Sequence, residues 1–210
     1  MVIIWYLLKG FNLGFAAAVL PGPFQAYLLS QTMKNGWQRT LPAVLAPILS
    51  DGPIIVLVLA VLTQVPTWFL SVIQLVGGLF ILYLARGAFL AFRHPPTPAA
   101  EATETAGRGL LKAILVNVFS PGPWIFWSTV TGPLFLEGWR DSVGAGVGFV
   151  AMFYATFIGC LAVLVALFAL ARRSGPAVMR VLIGVSALVL LLFGLSQVWA
   201  GVAGMLPLMS

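Results

Sequence analysis

Charge is scarce in this chain. Only 8% of its 210 residues are charged, against roughly 25% in a soluble domain, which leaves too few to build a water-facing surface. Cysteine occurs once, as Cys160 inside an apolar run, so an internal disulfide is excluded. Histidine also occurs once, as His94 in a polar stretch, and a Ser-His-Asp constellation has no imidazole to draw on within the apolar runs. No His, Cys and carboxylate grouping has metal-ligand spacing. A Walker phosphate loop is missing too, so ATP is not the direct energy source. These absences argue against an enzyme, a metal site or a cofactor.

Apolar residues take the place of charge: 61% of the chain is hydrophobic and the mean hydropathy is +1.07. The bilayer must be the solvent for most of it, with backbone groups satisfied inside helices. A barrel would show alternating segments of ~10 residues, whereas these runs are continuous. Six are visible, from about Val2 to Met33, Thr40 to Leu62, Trp68 to Phe92, Leu110 to Leu136, Ser142 to Leu170 and Ala177 to Val202. The expectation is an all-α integral membrane protein forming one domain over 1–210, with three helices in 1–92, a polar Pro-rich loop over 93–109 and three helices in 110–210. Lys9 interrupts the first run early, so that run is read as a retained helix rather than a cleaved leader.

Basic residues set orientation. Lys34, Arg39, Arg86, Arg93, Arg108, Lys112, Arg172, Arg173 and Arg180 flank loops of one side, and only Lys9 and Arg140 flank the other. This puts the central loop in the cytoplasm and both termini outside the inner membrane. It also accounts for the net charge of +6 without nucleic acid.

Pro21-Gly22-Pro23 recurs as Pro121-Gly122-Pro123 in the first helix of the second half, and a Gly-Trp pair follows each, Gly36-Trp37 and Gly138-Trp139. Three spans per half make the second half enter from the opposite side. The pattern predicts two inverted three-helix repeats, each with its first helix broken, a layout that places transporter sites at the breaks. Proline lacks an N–H and displaces the carbonyl four residues back, so Pro21 frees Ala17, Pro23 frees Val19, Pro121 frees Asn117 and Pro123 frees Phe119. Freed carbonyls suit an ammonium group or a cation. The restarted helices offer N–H groups to a carboxylate. Candidate substrate-binding residues are therefore Pro21, Gly22, Pro23, Gln25, Asn117, Ser120, Pro121, Gly122 and Pro123. Asn117 is also read as bonding loosened backbone.

Asp51 is the only carboxylate inside a predicted span. Intramembrane ionisable residues are costly and mark ion or substrate paths, so Asp51 is the candidate proton-coupling residue. The bland alternative is a cap on a helix made irregular by Pro47, Gly52 and Pro53. Tyr27, Tyr83 and Tyr154 are left as interfacial or core, and Trp37, Trp68, Trp139 and Trp199 as an aromatic belt. Gly77-Gly78 fits packing in a homodimer or within one chain.

The broken first helix with Pro21-Gly22-Pro23, the following Gly36, Asp51 in the second span and Asn117 before Pro121 resemble the LysE-type translocators over nearly the whole chain. The resemblance implies export of amino acids or related metabolites driven by the proton motive force. Two departures stand out. Ala46 and Ser50 replace small glycines before the acid, and Ser120-Pro121-Gly122-Pro123 replaces an Asn-Pro-Lys pattern, so lysine or threonine is not assumed as the solute. The alternatives are a non-transporting membrane assembly partner and a cation exporter.

Overall fold

The computed structural model describes residues 2–20, 22–60, 67–93 and 105–205, and every regular element among them is helical. The candidate Pro21, the turn after the second span, most of the central loop with His94, and residues 206–210 lie outside the described residues. In chain order come α1 (Val2–Val19), α2 (Pro23–Asn35), α3 (Trp37–Thr40), a 3-10 stretch (Leu41–Leu45), α4 (Ala46–Ala60) and α5 (Thr67–Arg93). Then follow α6 (Ala106–Val118), α7 (Pro121–Phe126), a π-helical stretch (Trp127–Thr131), α8 (Gly132–Asp141), α9 (Val143–Arg173) and α10 (Pro176–Met205).

Five stretches are long and apolar enough to cross a bilayer: Val2–Val19, Trp37–Leu59, Ser71–Arg93, Val143–Arg173 and Pro176–Met205. A sixth forms if α6 and Pro121–Asp141, bent by 53° to each other, are one span. Large apolar side chains point outward, among them Trp5, Phe15, Leu170 and Leu188, as do Trp37, Trp68, Trp139 and Trp199. Such a surface is stable only against lipid tails.

With apolar residues serving as the lipid-facing surface, the helices associate through small residues. On α1, Tyr6, Gly10, Gly14 and Ala18 form one buried stripe at four-residue spacing. A Cβ on Gly10 or Gly14 would strike the carbonyl oxygen of Phe149 or Phe153. That order of contacts makes α1 parallel to α9. In contrast, α5 and α10 are antiparallel: Gly201 meets Ser71 and Leu75, Gly78 meets Gly194 and Val198, and Gly184 meets Phe92. Gly77 and Gly78 are thus spent on packing inside the chain.

Helix α2 is the interior element. Phe24 and every residue from Ala26 to Met33 are buried, including Ser30, Gln31 and Thr32. It ends where Gly36 takes φ +81° and its N–H closes on the Thr32 carbonyl at 3.1 Å. A side chain would strain that backbone.

Charges divide between the two ends. Tyr6 donates to Asp141 at 2.9 Å and Lys9 pairs with Glu137 at 3.7 Å, fixing one end. At the other, the Lys34 ammonium lies over Gly87, the Arg172 guanidinium faces Gly36, and Arg180 sits 5.2 Å from the Phe92 ring.

Candidate functional site

The two interruptions are closed by the chain's own groups. At the first, Gly22 is extended between α1 and α2, and Pro23 is the first residue of α2, where a missing N–H costs nothing. The Gln25 amide reaches back to the carbonyls of Ala17 and Ala18, at 3.2 and 3.3 Å. In this conformation the Ala17 carbonyl is therefore met by Gln25, where the sequence reading leaves it open for a passenger. At the second, the gap falls on Phe119 and Ser120, and Pro121-Gly122-Pro123 forms the first turn of α7. The two tripeptides thus sit two residues out of register against their helix starts, at Pro23 and Pro121.

Carbonyls at the second gap are filled as well. The Ser120 hydroxyl donates to Val116 at 2.5 Å, the Ser120 N–H to Asn117 at 3.2 Å, and the Trp124 indole to Val118 at 2.8 Å. The Phe119 carbonyl lies against Gly77, with no room for a Cβ between them. Neither Gly22 nor Ser120 places a side-chain cap on the helix it starts.

The polar centre lies elsewhere. Asp51, only 4% exposed, projects from α4 into a junction with α6 and α9. One of its oxygens accepts from the Asn117 amide at 2.6 Å, the other from the Tyr154 hydroxyl at 2.9 Å. The same Asn117 amide is 2.7 Å from the Ser50 hydroxyl oxygen, and Ser50 donates in turn to the Ala46 carbonyl at 2.8 Å. The Trp127 indole lies beside Asp51 and Tyr154, its ring stacked on the Tyr154 ring. The Asp51 carboxylate is met by the side chains of Asn117 and Tyr154, and the Asn117 amide by those of Ser50 and Asp51. Ser50, Asp51, Asn117 and Trp127 are all buried.

Local sequence explains how these groups arrive. Pro133 cannot donate to the carbonyl four residues earlier. The preceding turn widens into the π stretch, in which the Thr131 hydroxyl donates to Phe126 at 3.0 Å and that of Thr129 to Ile125 at 2.6 Å. Such insertions re-aim side chains and gather at functional sites; this one carries Trp127. Pro53 lies inside α4, two residues beyond Asp51.

Trp127 also lines a cavity of about 420 Å³ that opens at the Asp141 end, with Val58, Ser128, Glu137, Arg140 and Asp141. One indole therefore touches both the carboxylate junction and the cavity. Of the predicted site residues, Asp51 and Asn117 meet directly, and Ser120 stands one turn along from Asn117. Gln25 and Gly22 belong to the first interruption, and Gly122 faces open space. Tyr154 and Trp127 were not among the candidates. Among the described residues no group of His, Cys, Asp and Glu is placed to hold a metal.

In comparison with known proteins, the family model for LysE type translocators matches residues 15–201. No curated protein and no solved structure matches the chain.

Proposed function

Because the chain belongs to the LysE type translocator family, we propose that it is a secondary transporter exporting amino acids or similar small polar metabolites across the cytoplasmic membrane, with protons as the coupling ion. The observation that carries this is the Asp51 junction: one buried carboxylate ties α4 to α6 and α9 through two side-chain bonds. A carboxylate accepts at both oxygens, whereas a carboxylic acid donates from one of them. Adding a proton to Asp51 removes the charge from its bond with Asn117 and makes the acid a donor, so Tyr154 must turn its hydroxyl to accept, and the tie of α4 to α6 and α9 weakens. Helix contacts that depend on one proton supply the two states that alternating access needs. Trp127 stands between that carboxylate and the cavity at the Asp141 end and forms the boundary a proton or solute must pass.

The Asp141 end is the outer one in this reading, since the basic residues cluster opposite it. Both termini then lie outside. The two halves are inverted repeats, supported by the antiparallel run of α5 and α10, the last helix of each half. The broken helices provide the moving parts, with Gln25, Ser120 and Trp124 yielding their carbonyls to the passenger during transport.

The test is a metabolite profile of cells lacking and overproducing the protein, followed by counterflow of the named solute in proteoliposomes. A solute that accumulates inside on loss and outside on overproduction supports export. No flux across a broad solute panel refutes it and favours the non-transporting partner.

A further inference from the structure

Each broken helix runs as half-helices on either side of its interruption, α1 then α2 in the first half of the chain, α6 then α7 and α8 in the second. Two buried tyrosines join these pieces across the molecule. At one end Tyr6 of α1 donates to Asp141, the last residue of α8, at 2.9 Å, with Lys9 and Glu137 paired beside it. The helices are close there, because a Cβ on Gly138 would stand 3.1 Å from the Tyr6 ring. At the other end Tyr27 of α2 donates to the Gly109 carbonyl of α6, also at 2.9 Å. Both tyrosines are 1% exposed, and each reaches into the opposite half of the chain. In the inverted-repeat reading α1 corresponds to α6 and α8 to α2, so the two bonds join equivalent pairs of half-helices at opposite ends.

Each bond also borders the hollow at its own end. Asp141 lines the cavity of about 420 Å³, and α8 forms one wall of it through Glu137, Arg140 and Asp141. Tyr27 and Ser30 line another, of about 230 Å³, which Lys34, Arg86 and Lys112 mark as the basic end. We propose that Tyr6 and Tyr27 are the outer and inner gate residues of the transport cycle, both shut in this conformation. The assignment rests on the export reading. Parting a buried hydroxyl from its acceptor is costly unless water reaches it. Each bond therefore gives way only where its own end fills with water. The Tyr27 bond is made in states shut at the inner end and lost in the state open there, and the Tyr6 bond does the same at the outer end. Removing one hydroxyl thus favours the state open at that end over the state open at the other.

The test uses Cys160→Ala protein in nanodiscs with one reporter thiol, at Ser30→Cys in the inner hollow or at Ser128→Cys in the outer cavity. The rate of labelling by a sulfonate-bearing methanethiosulfonate, which approaches only through water, is measured with no solute added. Tyr27→Phe should raise the ratio of the Ser30→Cys rate to the Ser128→Cys rate by about two- to tenfold, the range that one hydrogen bond supplies. Tyr6→Phe should lower the same ratio by at least as much. Asp141→Asn, which keeps an acceptor for Tyr6, should lower it less. A ratio that moves the same way in both tyrosine variants, or in neither, overturns the proposal, because a general loosening of the fold has no preferred end. Opposed shifts in a protein that moves no solute keep the gates and refute export. Solute flux without opposed shifts does the reverse.

Discussion

If Asp51 is the tie between α4 and α6, a double-mutant cycle between Asp51 and Asn117 should register it. The perturbations are Asp51→Ala, Asn117→Ala and both together. Their shared bond is 2.6 Å long and buried at both partners, which are 4% and 6% exposed. A hydrogen bond to a charged group is worth about 1.5–3 kcal/mol, and a neutral one ~0.5–1.5 kcal/mol. Side-chain bonds between membrane helices average ~0.6 kcal/mol, because the unfolded chain in lipid also finds partners. The Asn117 amide is shared with Ser50, which reduces the part assigned to Asp51. These bounds place the coupling at about 1–2 kcal/mol, with both single variants destabilised by more than that. Reversible unfolding in mixed micelles, followed by circular dichroism for all four proteins, measures it. Additive variants, with a coupling below ~0.3 kcal/mol, would refute the idea that this bond joins the helices.

Other outcomes follow from the packing. Gly14→Ala should cost about 1–3 kcal/mol, since its Cβ has no space before the Phe153 carbonyl, while Gly159→Ala, with nothing within 4 Å, should leave unfolding unchanged. Gln25→Leu removes the donor from the Ala17 and Ala18 carbonyls and should lower stability by about 1–3 kcal/mol in the same unfolding assay. Gly36→Ala meets both a φ of +81° and the Arg172 guanidinium; a loss of about 1–3 kcal/mol is expected, and Gly36→Asn should not recover it, because ψ 161° lies outside the left-handed region that Asn tolerates.

Much of this architecture is legible in the sequence because lipid imposes it locally. Continuous apolar runs gave helices close to their observed bounds: Trp68 to Phe92 became Thr67–Arg93, and Ala177 to Val202 became Pro176–Met205. Asp51 stood out because a carboxylate inside such a run is rare. Its partners were harder to see. Tyr154 is 103 residues away, and nothing in the α9 sequence marks which face meets α4. Trp127 has a local signal in the sequence: the hydroxyl-rich Ser128-Thr129-Val130-Thr131 before Gly132-Pro133 loosens a helix turn. Proline chemistry located both interruptions. It gave no sight of the side chains that fill them, because Gln25 and Trp124 reach their carbonyls only after the chain has bent. Lys34, Arg86 and Lys112 read as orientation signals in one dimension, and only the packing of α2, α5 and α6 gathers them.

The central claim is that one proton on Asp51 drives the transport cycle. Purified Asp51→Asn protein in liposomes, with a solute identified by metabolite profiling, tests it most directly. A pH jump should drive uphill uptake of that solute in the wild type and none in the variant, while counterflow at equal pH persists in both. Uphill flux in Asp51→Asn matching the wild type would contradict the account.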